Sequence, residues 1–247
     1  MRNLLLTIRF DGTAYHGWQV QENGITVQQA FQDAWEKIFS ARENVVGCSR
    51  TDSGVHADKY CCNVRTVTDM PCPDIVYAMN AVLPNDIAVL SCEETDWDFH
   101  ARYSAVSKRY EYRIWNSPVK NPFISKYSLQ VKYPLDASLM NKNASDFLGT
   151  HDFAAFCASG SSVADTVRTV TKAEVSRQGE LVTFTVEANG FLYNMVRIMT
   201  GTLIDVSSGK IPDGSVPEII NSKCRERAGV TAKPHGLFLA DVKYGKE

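Results

Sequence analysis

The sequence predicts an α+β protein of two halves, each running strand, helix, strand, strand, helix, strand, with antiparallel sheets joined around a central active-site cleft. Two observations predict it. Apolar residues alternate between a period of two and a period near 3.6, and the order of those switches repeats after residue 103. The length of 247 residues adds a third, since domains of roughly 150 residues make one or two of them.

The elements follow in order. Leu4, Leu6, Ile8 and Phe10 recur at every second position, with Thr7 and Arg9 between, which is a half-buried strand. Thr26 stands three residues before Gln29 in capping-box spacing. After it Val27, Ala30, Phe31, Ala34, Trp35 and Ile38 lie on one helical face over 27–40. Strands are expected at Val45-Val46 and 59–66, and then a helix capped by Asp74 and stopped by Pro84. Ile87–Leu90 closes the first half. In the second, Tyr110, Tyr112 and Ile114 alternate with charged residues as a strand, and Asp136 caps a helix carrying Leu139, Met140 and Phe147. Strands at 168–177 and 181–188 meet at Gly179. A long helix is expected from Phe191 to about Val206, a short one at 216–222, and a closing strand at 238–244. Each half, 1–103 and 104–247, thus has the order of a split βαβ, the ferredoxin-like or RRM-like arrangement.

Composition excludes more than it assigns. Hydrophobic residues at 44% and charged residues at 22% are ordinary globular values, which removes disorder and fibrous classes. No apolar run approaches the ~20 residues of a membrane helix, so neither a membrane span nor a signal peptide is expected. Cysteines at 48, 61, 62, 72, 92, 157 and 224 show no Cys-x-x-Cys spacing and are odd in number; free thiols in a reducing cytoplasm are the expectation. The net charge of −2 argues against nucleic-acid binding by bulk charge. It is unevenly spread, however. Residues 1–103 hold 8 Lys and Arg against 14 Asp and Glu, whereas residues 104–247 hold 18 against 14. The second half is basic.

The run Gly47-Cys48-Ser49-Arg50-Thr51-Asp52-Ser53-Gly54-Val55-His56 packs Arg, Asp and His into a loop between two strands, where functional groups are commonly displayed. One reading is a solvated turn in which Asp52 caps its own backbone. A second is half of an aspartic-protease site, from Asp52-Ser53-Gly54. That chemistry needs two carboxylates sharing a proton, and no other Asp-Ser/Thr-Gly occurs here; only a homodimer would supply the second. Elsewhere, Arg197 sits in an otherwise apolar stretch, where a charge either snorkels outward or is paired. The five histidines lack ligand spacing, and no Gly-x-Gly-x-x-Gly or P-loop is present; neither metal nor cofactor is expected. Trp18, Gln19, His16 and His151, with the run Gly160-Ser161-Ser162, fall in polar loops that suit either RNA recognition or plain connection.

A third reading of the Asp52 loop covers more of the chain. Arg50-Thr51-Asp52-Ser53-Gly54-Val55-His56 resembles the Arg-Thr-Asp-Ala-Gly-Val-His block of the tRNA pseudouridine synthase A family. Tyr15-His16-Gly17-Trp18-Gln19, Lys108-Arg109-Tyr110-Glu111-Tyr112 and His151-Asp152-Phe153 resemble further blocks in the same order. So do Gly190-Phe191 through Met195-Val196-Arg197, and Pro234-x-Gly236-Leu237. Ser53 departs from the usual Ala and adds a hydroxyl beside the carboxylate. The resemblance implies isomerisation of uridine to pseudouridine at positions 38, 39 and 40 of the tRNA anticodon stem-loop, without cofactor, by a homodimer. It implies Asp52 as nucleophile, Tyr110 as the residue stacking on the extruded base, Arg197 as the partner of Asp52, and Arg50 as a substrate-positioning group. The competing reading is a non-catalytic RNA-binding module on the same fold.

Overall fold

In the computed structural model, which describes residues 1–160 and 163–245, strand β1 (Arg2–Phe10) leads to α1 (Val27–Phe39), β2 (Val45–Gly47), β3 (His56–Thr66), α2 (Cys72–Val82) and β4 (Ile87–Thr95). Then come β5 (Ala105–Asn116), β6 (Leu129–Val131), α3 (Ala137–Ala144), β7 (Gly149–Asp152), β8 (Val167–Gln178) and β9 (Leu181–Ala188). Helices α4 (Met195–Ser207) and α5 (Val216–Ser222) precede the last strand, β10 (Leu237–Tyr244). The chain is α+β with mostly antiparallel strand pairs. It divides into one unit spanning Met1–Val106 and resuming at Phe238, and a second spanning Ser107–Leu237.

In the first unit β1 lies between β4 and β3 and is antiparallel to both, with Leu4 opposite Glu94 and Val64. The other edge of β3 is shared: β2 pairs with residues 62–64, and β10 runs parallel beside His56 and Ala57. The periodicity of α1 is realised as read. Thr26 accepts from the Gln29 N–H at 3.3 Å, and Val27, Phe31, Ala34 and Trp35 are buried. Helix α2 starts three residues earlier than a cap at Asp74 would allow. Pro71 takes the cap position and Asp74 falls in the first turn. Prolines 71 and 73 suit a helix start, because φ is preset and the missing N–H is one that would have no partner there.

Strand β10, from Phe238 on, is grouped with the first unit. Phe238 stacks on His56 with ring centroids 4.7 Å apart, Lys59 pairs with Asp241 at 2.8 Å, and the Tyr244 hydroxyl donates to Ala101 O.

In the second unit β9 lies between β5 and β8, and β7 extends the edge of β8. Strands β6 and β7, at three and four residues, are too short to show a period and were not expected. Helix α4 is buried almost all round, with Met195, Val196, Ile198, Met199, Leu203 and Val206 in the core; each such side chain contributes about 1.5–3 kcal/mol by leaving water. It begins at Met195 rather than Phe191, because Asn194 adopts a left-handed backbone (φ 60°, ψ 10°) that no helix interior tolerates. Gly201 lets the chain at 229–232 lie directly on α4: a Cβ there would sit 1.7 Å from Val230 O. The seven cysteines are all free, and among the described residues no helix is long and apolar enough to cross a membrane.

Candidate active site

Asp52 opens a β-turn that ends at Val55, closed by Val55 N–H to Asp52 O at 3.2 Å. Gly54 occupies the third position at φ +75°, the left-handed conformation that a type II turn demands there. The turn reading of this loop is therefore correct as far as the backbone goes. It does not compete with a chemical role, since the closing bond uses the main chain.

Two neighbouring segments hold the loop. Strand β3 supplies Tyr60, whose hydroxyl donates to Ser49 O at 2.5 Å and whose ring stacks on Trp18 at 4.2 Å. Gly47 makes room for this pair, because a Cβ there would lie 2.2 Å from the Tyr60 hydroxyl oxygen. The segment after β1 supplies a backbone clasp. Trp18 N–H donates to Thr51 O and Gly54 N–H to Tyr15 O, both at 3.2 Å. Gly17, at φ +81°, passes so close that a Cβ would be 2.3 Å from Thr51 O. Val27 N–H and Gln28 N–H return to Gly17 O and Trp18 O, tying the clasp to the start of α1. Trp18 is thus a buried support for the loop rather than an RNA-facing ring; His16 and Gln19 of the same segment are exposed.

The Ser53 hydroxyl donates to Tyr15 O at 3.2 Å, so the departure at this position adds a further tie to the clasp. At the far end of the loop His56 is buried and accepts from Gly12 N–H at Nδ1, 3.0 Å away. Asp11 Oδ1 lies 3.1 Å from the same nitrogen. One nitrogen cannot both accept and donate in the ring plane. We assign the Gly12 bond, because a buried main-chain N–H is costly to leave unmet.

The second unit carries the other two principal residues. Tyr110 pairs across the sheet with Val186 and meets Phe191 edge to face at 5.0 Å. Tyr110 is only 6% exposed. Tyr112, two residues on, is the core aromatic of the pair: it is fully buried and donates to Lys233 O at 2.6 Å. Burial raises its phenol well above the ordinary range, against the opposing pull of Arg197.

Arg197 is half-buried. Its Nε donates to Ala232 O at 2.7 Å and one terminal nitrogen donates to Asn194 Oδ1 at 2.5 Å, while Ala232 N–H returns to Arg197 O at 3.1 Å. Strand β5 and helix α4 therefore grip the same short segment, at Lys233 and Ala232. The left-handed Asn194 that delays the helix also delivers the side chain that orients the guanidinium.

Asp52 and Arg50 belong to the first unit and Tyr110 and Arg197 to the second; Asp52 is half-buried and Arg50 exposed. The sequence reading missed the supporting residues Gly12, Tyr15, Tyr60 and Asn194. Two glycines flanking an aromatic at 12–17 were the available signal. Of the 150–167 loop, Phe153 and Phe156 are core and His151 Nε2 donates to Leu148 O at 2.8 Å; Ser161 and Ser162 lie outside the described residues. Asp152, by contrast, pairs with a cation near the surface. Lys223 at 2.7 Å and the Thr166 hydroxyl hold its carboxyl below the usual range.

Comparison with known proteins gives one consistent answer. A model of the tRNA pseudouridine synthase family matches residues 6–104 and 144–245. The tRNA pseudouridine synthase A of Thermoanaerobacter sp. (strain X514) is 46% identical over 99% of this chain and 100% of its own length. That of Acetivibrio thermocellus is 46% identical over the same shares, and tRNA pseudouridine synthase A 2 of Clostridium perfringens (strain 13) is 42% identical. Among solved structures, a chain titled as a Cbf5-Nop10-Gar1 complex matches 82% of this chain and 44% of its own at 14% identity and a TM-score of 0.37, too low to identify a fold. The chain belongs to the tRNA pseudouridine synthase family.

Proposed function

We propose that the chain, a tRNA pseudouridine synthase, isomerises uridine to pseudouridine at positions 38, 39 and 40 of the tRNA anticodon stem-loop, with Asp52 as nucleophile. The reaction breaks the N1–C1′ bond, turns the uracil and joins C5 to C1′, so the C5 proton leaves and nothing is oxidised or reduced. The observation that carries the reading is the Arg50–His56 block on a loop clasped through the main chain at Thr51 and Gly54 and through the Ser53 hydroxyl. Such support fixes a carboxylate at the precision that bond-making requires.

Tyr110 is assigned to stacking on the extruded base, which recovers part of the few kcal/mol spent on unstacking. Arg197 is assigned as the counter-charge of Asp52, and Arg50 to positioning the substrate backbone. The fork that Ala232 and Asn194 impose on Arg197 supports a directional role. The finer fold reading belongs to the same proposal. Two ferredoxin-like halves are supported in the first unit, where β4, β1, β3 and β2 neighbour one another in that order. A homodimer acting in the cytoplasm completes it. The non-catalytic alternative is not favoured, because the full-length relatives are named as synthases.

The test uses tRNA transcripts tritiated at uracil C5. Release of tritium to water, lost when only positions 38–40 are replaced by cytidine, is expected. Absence of release from any tRNA would overturn the reading.

A further inference from the structure

The connection from β4 to β5, residues 96–104, ends in side chains that the chemistry above does not use. It is pinned rather than loose. Asn3, buried in the middle of the sheet, donates to Asp96 O at 2.9 Å and Phe99 O at 3.0 Å. Asn63 donates to Asn3 at 3.0 Å and accepts from Ala101 N–H at 2.9 Å, while the Tyr244 hydroxyl donates to Ala101 O at 2.8 Å. A buried polar chain fully satisfied in this way fixes what it holds.

What it holds is two aromatic rings facing outward, each beside an arginine. Tyr103 is 76% exposed and Trp97 46%. The Arg65 guanidinium lies over the Trp97 ring at 4.6 Å and donates to Trp97 O; that of Arg102 lies 5.7 Å from the Tyr103 centroid. His100 backs Tyr103 at 4.3 Å, and its Nδ1 accepts the N–H groups of Arg102 and Tyr103 at 3.2 and 3.3 Å. Large rings held into water by a rigid support forgo the burial they would otherwise gain. Paired with cations, they match the stacking platforms that bind unpaired nucleotides.

We propose that residues 97–103 form a second RNA contact, on which unpaired bases of the substrate stack at Trp97 and Tyr103 while Arg65 and Arg102 meet the adjoining phosphates. The proposal rests on the tRNA reading above and adds a site outside the Asp52, Tyr110 and Arg197 set. It also explains how the acidic half of the chain, with 14 Asp and Glu against 8 Lys and Arg, engages a polyanion. Stacking needs no surplus of positive charge.

The experiment measures equilibrium binding of an unmodified tRNA transcript at several salt concentrations, beside tritium release, for the full chain. Tyr103→Ala is expected to weaken binding roughly tenfold and to raise KM with kcat kept. Its slope of log affinity against log salt should be unchanged, and Tyr103→Phe should restore affinity. Arg102→Ala should reduce that slope by about one phosphate contact. Trp97→Ala should behave as Tyr103→Ala does. Wild-type turnover with all four variants binding within twofold of it would overturn this contact and leave the function standing. Absence of any wild-type binding or release would overturn the function, and this contact with it.

Discussion

Gly17 passes over Thr51 at a distance that only glycine permits: a Cβ at 17 would stand 2.3 Å from the Thr51 carbonyl oxygen, on a backbone at φ +81°. The residue before Asp52 is therefore held by main-chain contact rather than by a side chain. Gly17→Ala must rotate the backbone or lift the clasp, at a cost of about 1–3 kcal/mol. The expected result is a loss of stability of that size in urea unfolding. Turnover should fall by at least tenfold, since a displacement near 1 Å costs up to about a hundredfold. Unchanged turnover would show that the clasp does not position Asp52.

On the other unit, the contact between α4 and the 229–232 segment makes a paired prediction. Gly201→Ala places a methyl 1.7 Å from Val230 O and is expected to destabilise by about 1–3 kcal/mol or more through overpacking. Gly190→Ala meets only the Arg168 side chain, at 3.4 Å, and should stay within about 0.5 kcal/mol of wild type. Chemical denaturation of both variants checks the contrast.

Arg197→Lys keeps a positive charge but loses the fork that meets Ala232 O and Asn194 Oδ1. An ammonium does not rebuild a directional pair. We expect kcat to fall roughly tenfold or more, at about 1.5–3 kcal/mol for a charged hydrogen bond, with tRNA affinity kept within threefold. Steady-state kinetics beside equilibrium binding separates the two.

Much of this was legible beforehand, and the failures share a cause. Alternation at 4–10 and the Thr26 cap read correctly because local pattern and final environment agree there. The start of α4 was misread because Phe191 and Leu192 continue an apolar pattern, while Asn194 breaks the backbone to serve Arg197. At the site, Asp52 was conspicuous by its motif. Its supports were not, because Tyr15, Gly17 and Trp18 act largely through main-chain groups and ring packing that no spacing rule encodes. The hydroxyl that Ser53 adds beside the carboxylate bonds Tyr15 O.

Asp152 gives a pH prediction with a definite sign. Its carboxyl is held below the ordinary 3.8 by hydrogen bonds from Lys223 and Thr166. The folded state therefore keeps this proton off where the unfolded chain takes it up. The stability it lends is complete above that ordinary value and is lost as pH falls through the depressed one. Asp152→Asn should accordingly lower the midpoint of denaturation at pH 7, and the gap to wild type should close toward pH 2. A gap that stays constant with pH would remove the ionic account.

The central claim is that Asp52 performs chemistry rather than building the turn. Tritium release and tRNA binding measured together on Asp52→Asn test it most directly, because the turn is closed by the Asp52 carbonyl and Val55 N–H, which the substitution leaves in place. The account predicts no detectable release, with tRNA affinity and unfolding midpoint close to wild type. Release at the wild-type rate, or loss of binding and stability in proportion to activity, would contradict it.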